Sequence, residues 1–471
     1  MPDHFLHGVE VIEIDDGTRP IQTVKSSVIG LVGTAPKGAV NTPTLILGSR
    51  TEAVKLFGEP TAGFTIPDAL DAIFDQAGAM VVVINVADPD NSSHQTQITA
   101  TPYEFNETDS IDLEHYTISD VSVINPSDSS VYTEGTDYTV DYSNGIITRV
   151  DGGAITAGAS VNISYKYLDG TKVTSGDIIG GVDGATGAYK GVQCLLAAQS
   201  EAKVQPRVLI APGFTHDRPS GLANPVVAEL MGIAERMRAV IIADCPNGTK
   251  EEAITYREDW GSARLYCAYP WAKVYNSKTD TIDERPLSAR IAGLIAKSDN
   301  ERGFWWSPSN MTINGIVGLS KPIDFTLGDA NCVANYLNEN EVATVIQQDG
   351  YRLWGNRTTS ADPKWMFLSV RRTADMINDS LLKAHLWAVD RNISKTYVED
   401  VTEGVNNYLR YLKSIGAIIG GNCWADPELN TPDQIAQGKV SFDFDFTPPY
   451  PAEHIIFRSR MIDDYLEEIF Q

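Results

Sequence analysis

The chain has 471 residues, with 37 Lys+Arg against 62 Asp+Glu for a formal net charge of −25, and 42% of its residues are hydrophobic. At about 150 residues per domain this is enough for about three packed units, and global disorder is excluded. The acidic balance argues against a nucleic-acid backbone as partner, which needs a Lys/Arg footprint, and against docking on an anionic membrane.

Residues 1–24 carry Val9-Glu-Val-Ile-Glu-Ile14, a β-prone run closed by Asp15-Asp16-Gly17 and Arg19-Pro20, and read as an extended arm. From Ser26 the pattern alternates between α and β. Apolar runs over 28–32, 44–47 and 80–86 predict strands, while 52–57 and 67–76 have helical spacing, the second with Leu70, Ile73 and Phe74 on one side. Apolar runs alternating with helices indicate a sheet covered on both faces. At Asp88 the composition changes. Residues 88–175 hold 14 Asp/Glu against three Lys/Arg, with no Cys or Trp but many Tyr, Thr and Ser. Tyr138-Thr-Val-Asp-Tyr142, Asn144-Gly145 and Ile146-Ile-Thr148 predict a hairpin, and Val161-Asn-Ile-Ser-Tyr-Lys-Tyr167 alternates with period two. This stretch reads as an inserted, acidic, all-β domain.

The α/β pattern resumes at Gly180, with strands predicted at 207–211, 239–244 and 264–269 and helices at 225–238, 251–260 and 287–296. Past Lys364 helices dominate. Ile377, Leu381, Ala384 and Ala388 share one face, as do Val401, Val405, Tyr408, Leu412 and Ile415. Strands are predicted again at 442–446 and 455–462.

Five scattered cysteines (Cys194, Cys245, Cys267, Cys332, Cys423) contain no C-x-x-C and read as small buried hydrophobes in a reducing compartment. The longest apolar run, 79–84, stops at Asn85 and is far too short to cross a bilayer. Met1-Pro-Asp-His-Phe5 has neither the basic start nor the apolar core of a signal peptide, so synthesis as a soluble cytosolic protein is expected.

The sequence has no H-E-x-x-H, G-x-S-x-G, P-loop or G-x-G-x-x-G. Gly180-Gly-Val-Asp-Gly-Ala-Thr-Gly187 precedes a helix and could cradle a phosphate, but it lacks the lysine-hydroxyl pair of a P-loop and reads better as a structural turn. Phe442-Asp-Phe-Asp-Phe446 offers Asp443 and Asp445 to a cation, or buries three phenylalanines and leaves both carboxylates wet, which is the simpler reading. The seven histidines show no metal-ligand spacing. No catalytic, cofactor or metal residue is therefore expected. What stands out is the two ends. Val9, Val11, Ile12 and Ile14 at one, and Ile455, Phe457, Arg458, Arg460, Met461, Ile462, Tyr465 and Phe470 at the other, lie in β-capable segments. These either pair within their own subunit or are donated to neighbours, and donation links unlike surfaces into rings or helical arrays.

Several long motifs carry a resemblance. Arg19-Pro-Ile-Gln-Thr-Val-Lys-Ser-Ser-Val-Ile-Gly-Leu-Val-Gly-Thr-Ala-Pro36, Pro206-Arg-Val-Leu-Ile-Ala-Pro-Gly213, Asn300-Glu-Arg-Gly-Phe-Trp-Trp-Ser-Pro308 and Gly350-Tyr-Arg-Leu-Trp-Gly-Asn-Arg-Thr358 are the first four. Ser369-Val-Arg-Arg-Thr-Ala-Asp375, Trp424-Ala-Asp-Pro-Glu-Leu-Asn430 and Pro448-Pro-Tyr-Pro-Ala-Glu453 follow in order. Together they resemble the tail sheath subunit of contractile-tailed bacteriophages, a family related to R-type pyocin sheaths, along nearly the whole chain outside 88–175.

The resemblance implies a non-enzymatic virion protein, assembled in the host cytoplasm, that stacks as homo-hexameric rings in a helical array around a tail tube and contracts to drive the tube through the envelope. It implies tube, baseplate and tail terminator proteins as partners, with no direct contact to nucleic acid or membrane. It also implies an α/β fold with a central subtilisin-like domain (25–87 and 176–363), an outward insertion (88–175), an inner α+β domain (364–454), and arms at 1–24 and 455–471. Linkers are expected at Asp15-Asp16-Gly17 and Pro448-Pro449. Arg410 and Lys413, on the polar face of the 401–415 helix, are candidates for tube contact, or simply solvate that face. A phage-derived bacteriocin or prophage injection sheath fits equally. A subtilisin-like serine hydrolase is the remote alternative, because no small-residue turn exposes a serine beside a matching His and Asp.

Overall fold

The computed structural model describes residues 21–470. Eight strands build the main sheet: β1 (Ile29–Gly33), β2 (Thr44–Leu47), β3 (Met80–Asn85), β4 (Val208–Ile210), β5 (Val240–Asp244), β6 (Leu265–Ala268), β7 (Val342–Gln347) and β8 (Tyr351–Trp354). Their order across the sheet is β8-β7-β6-β5-β4-β1-β3-β2. The six inner strands run parallel, and β2 and β8 close the edges antiparallel. The inner strands β1 and β3 to β6 sit where the apolar runs predicted them because those runs are buried on both faces, as a parallel sheet between helices requires, while β2 at the edge leaves Leu47 exposed. The exceptions are β7 and β8, a hairpin turning through Asp349 and Gly350 at positive φ, in a stretch to which no element had been assigned.

Alternation along the strands feeds two separate cores. Val32, Val82, Leu209 and Ile241 pack with α3 (Pro225–Met237) and α4 (Lys250–Glu258). Leu31, Val83, Ile210 and Ile242 pack with α1 (Arg50–Phe57), α2 (Ile66–Phe74) and α5 (Ser288–Glu301). Local signals set the helix starts. The Asn224 side chain accepts from the backbone of Val226 and Val227 with Pro225 in the first turn, and Thr249 with Glu252 forms a capping box. All five cysteines are buried and unpaired.

Between residues 95 and 168 the chain forms six further strands in two three-stranded antiparallel sheets. Ser160–Leu168 lies between Gln95–Glu104 and Ile118–Ile124, and Ile146–Arg149 lies between Ser110–Asp112 and Tyr138–Asp141. They enclose a core of their own around Val123, Ile147, Val161, Ile163 and Tyr165. Entry and exit are adjacent, because Gln95 pairs with Leu168 and the Asp169 N–H donates to the His94 carbonyl at 2.8 Å. Two bonds tie this unit back to the loop after β1, from Thr117 Oγ1 to the Pro36 carbonyl (2.6 Å) and from Lys37 Nζ to Asn144 Oδ1 (2.9 Å).

Past β8, α6 (Leu368–Ala384) and α7 (Lys395–Ser414) cover a two-stranded sheet of Gly420–Trp424 and Asp443–Thr447. Met376, Ile377, Val405, Tyr408, Leu409 and Leu412 form the shared core, against which Phe442, Phe444 and Phe446 pack. Two predicted faces end early: Ala388 lies past the end of α6, and Ile415 caps α7 and is 39% exposed. The strand expected over 455–462 does not form. An alternating pattern makes a strand only where a neighbour completes the ladder, and no described residue pairs with this segment.

Candidate inter-subunit surfaces

The root of the 455–470 segment is fixed. Pro448 is buried, the Tyr450 ring meets Phe367 edge-on at 6.1 Å, and Glu453 pairs with Arg357, whose Nη2 donates to Oε2 at 2.8 Å. Beyond Glu453 the chain leaves the surface. Phe457 is 93% and Met461 96% exposed, and Ile455, Arg458, Arg460, Ile462 and Tyr465 are also exposed. So much apolar surface along one segment marks an interaction surface rather than a finished exterior. Val9, Val11, Ile12 and Ile14 lie outside the described residues, as does the Phe470 side chain.

The two edges of the two-stranded sheet differ. Asn406 of α7 takes both backbone groups of Cys423, accepting from its N–H at 2.7 Å and donating to its carbonyl at 3.0 Å, which partly closes the Gly420–Trp424 edge. The outward backbone groups of Asp443–Thr447 have no such cap among the described residues, so this edge is the more open to strand addition. On the outer face of α7, Arg410 is engaged locally by Glu403 and Asn407, each at 2.5 Å, while Lys413 is exposed in the last turn.

An α/β sheet normally places its functional groups beyond the C-terminal ends of its strands. A ligand crevice belongs beyond the C-terminal ends of β1 and β4, where the strand order reverses. That place is filled, since Thr34 and Thr65 each accept the other's backbone N–H at 3.1 Å. Asp244, at the end of β5, is buried and accepts from the Ser288 N–H (2.8 Å) and Oγ (2.5 Å). Burial pushes its carboxyl up to about 6, against the pull of those bonds. No described histidine stands between acid and serine. His216 instead lies edge-on to Trp271 and beside Asp217 at 3.0 Å. The glycine-rich 180–187 stretch is a tight hairpin in which the amides of Asp183, Ala185, Thr186 and Gly187 are already used. Asp183 accepts the N–H groups of Ala185 and Thr186 and pairs with Lys190 at 3.0 Å, and these bonds hold its carboxyl well below the ordinary range. Asp445 accepts the Asn422 N–H, and no group of three metal-ligating side chains occurs among the described residues. No described helix is long and apolar enough to cross a membrane.

Comparison with known proteins gives a consistent set of matches. A family model described as the phage tail sheath protein central domain matches residues 187–359, and one for the phage tail sheath C-terminal domain matches 360–462. The tail sheath protein Gp18 domain III N-terminal region matches 26–86, and a model for a protein of unknown function matches 90–175. The tail sheath protein of Burkholderia phage BcepMu is 38% identical, covering 99% of this chain and 98% of that one. A prophage protein of Pseudomonas aeruginosa strain UCBPP-PA14, named as a major tail sheath protein, is 37% identical over the same shares, and the tail sheath protein of Escherichia phage P2 is 29% identical. Among solved structures, the contracted helical sheath of the anti-feeding prophage superposes with a TM-score of 0.60 at 18% identity, covering 98% of this chain and all of that one. The contracted PVC sheath complex of an extracellular contractile injection system gives 0.59 at 13% identity, covering 98% and 99%.

Proposed function

The chain belongs to the phage tail sheath family, and from that premise we propose that it polymerises as stacked hexameric rings around a tail tube and contracts to drive the tube through the host envelope. The observation that carries this reading is the segment after Glu453: pinned at Arg357–Glu453, rich in apolar side chains and exposed over 455–466, following a two-stranded sheet with an open edge. A strand donated from one subunit to that edge joins unlike surfaces and so propagates. The N-terminal residues Val9, Val11, Ile12 and Ile14 act as the second arm in this reading.

In the proposed layout the central α/β body, with subtilisin-like connectivity, comprises 25–87 and 176–363. The 88–175 stretch is a separate outward domain, consistent with its own core and its adjacent ends. Residues 364–454 form the inner domain, with Arg410 and Lys413 toward the tube, and the subunit meets baseplate and terminator proteins at the sheath ends. Assembly takes place in the host cytoplasm and the finished sheath is part of the virion tail, with no direct contact to nucleic acid or membrane. The role is structural rather than enzymatic, and the direct Asp244–Ser288 bond supports this because it uses both groups inside the core. The Pseudomonas prophage relative favours a second setting for the same object, a prophage-encoded or bacteriocin-like injection sheath.

Contraction requires an extended array of higher free energy than the contracted one, with subunits moving as rigid bodies between the two. Buried ion pairs between α6 and the α/β body, Arg372–Asp299 and Arg264–Asp375, each at 2.6 Å, suit such a body. Cryo-electron microscopy of the purified protein, alone and with its tube protein, tests the proposal. Six-fold hollow rings or striated tubes are expected, and a monodisperse monomer in both samples overturns it.

A further inference from the structure

An open cleft of about 680 Å³ lies where the 22–25 segment, the loop before β4 and the end of α6 meet. Lys25, Lys203, Arg207 and Lys383 line it, and no Asp or Glu does among the described residues, on a chain whose net charge is −25. The three lysines are exposed. Arg207 is buried, and its Nε has no hydrogen-bond partner among the described residues. Asp379, which is held between Arg207 and Arg238, offsets only part of the positive charge at Lys383. Burial first, and then the adjacent Arg207 guanidinium, hold the Lys383 ammonium below its ordinary value against the opposing pull of Asp379. Val24 and Trp387 give the same cleft an apolar wall.

We infer that this cleft receives the acidic 463–470 segment of a second copy of the chain. That segment carries Asp463, Asp464, Glu467 and Glu468 with no Lys or Arg, and in its own subunit Tyr465, Leu466 and Ile469 stand exposed at 68%, 58% and 69%. Acids for the lysines and apolar side chains for Trp387 and Val24 thus lie on one short piece, 463–470, of which Asp464–Phe470 forms a 3₁₀ turn. The ten residues from 454 to 463 reach about 33 Å from the pinned root when extended, far enough to cross to a neighbour. The inference rests on the polymerising reading above. It adds a specific electrostatic latch at the far end of the arm, distinct from strand addition nearer its root.

The test is carbodiimide cross-linking of polymer grown from an equal mixture of ¹⁴N- and ¹⁵N-labelled full-length chain, mapped by mass spectrometry. Amide links from Lys25, Lys203 or Lys383 to Asp463, Asp464, Glu467 or Glu468, joining light to heavy copies, are expected. Charge reversal K25E/K203E/K383E should cut the pelleted fraction at least tenfold with an unchanged circular dichroism spectrum. Adding D463K/D464K to that variant should restore it to within twofold. Links confined to one copy, links to Asp15 or Asp16 in place of the tail, or inorganic phosphate binding the cleft of polymer that shows no tail link each overturn the assignment while leaving the sheath reading intact. Wild-type chain that forms no polymer even with its tube protein overturns the sheath reading and this latch with it.

Discussion

Arg357 and Glu453 meet in a forked pair, the guanidinium donating from Nη2 at 2.8 Å and from Nε at 3.0 Å to the same carboxylate oxygen. Arg357 lies between β8 and α6, and Glu453 closes the Pro448-Pro-Tyr-Pro-Ala-Glu453 run, so the pair ties the arm's root to the segment joining the α/β body to α6. Both side chains are about a third exposed or less, at 34% and 25%, and such a pair contributes about 0–1 kcal/mol to folding. Its effect should appear in assembly instead. Arg357→Ala is expected to leave the melting temperature within about 2 °C of wild type while lowering polymer yield severalfold in a pelleting assay. A large melting shift with normal polymer would assign the pair to folding alone.

Burial changes the balance for Arg372 and Asp299, which are 3% and 2% exposed and joined by two bonds of 2.6 and 2.9 Å. Removing one partner strands the other charge. Arg372→Ala should cost about 3–5 kcal/mol in denaturant unfolding, whereas replacing both residues by leucine should recover most of the loss. A double variant as unstable as the single one would contradict the desolvation argument.

Asp244 predicts a pH dependence. Burial raises its carboxyl to about 6, so between about pH 4 and 6 the folded chain keeps a proton that the unfolded chain has released. Its contribution to stability is therefore present at low pH, falls as pH rises through that window, and is constant above it. Asp244→Asn removes this contribution, and the difference between variant and wild-type stability should rise by up to about 1.4 kcal/mol per pH unit across the window. Asp68, raised to about 6 by burial in the same way, stays in both proteins and cancels in the difference. Parallel stability curves would refute the assignment.

The acidic insertion should be removable. Gln95 and Leu168 are strand partners, so a short Gly-Ser linker can replace 95–168 without moving its ends. The shortened chain is expected to fold and to form tubes of smaller outer diameter. Folded subunits that no longer assemble would place the insertion in an inter-subunit contact.

Much of this architecture was legible because the decisive signals are local. The apolar runs that became β1 to β6 are continuous, and the caps at Asn224 and Thr249 sit beside the helices they start. The β7–β8 hairpin went unread although Asp349-Gly350 marks its turn, since Val342-Ala-Thr-Val-Ile-Gln347 is short and interrupted by Thr344. The docking of α6 was not legible, because its carboxylates and guanidiniums pair with Arg207, Arg264 and Asp299, far away in sequence. The same holds for the basic cleft, assembled from three distant stretches. The 455–462 segment failed in the opposite sense. Its alternation predicts a strand, but no described residue pairs with it.

The most direct test of the arm-linked sheath is negative-stain electron microscopy of two proteins side by side, the full chain and a version truncated after Glu453, each with the tube protein present. The account predicts striated sheath around tubes for the full chain, and folded monomers with bare tubes for the truncated one. Sheath of normal appearance from the truncated chain would contradict it.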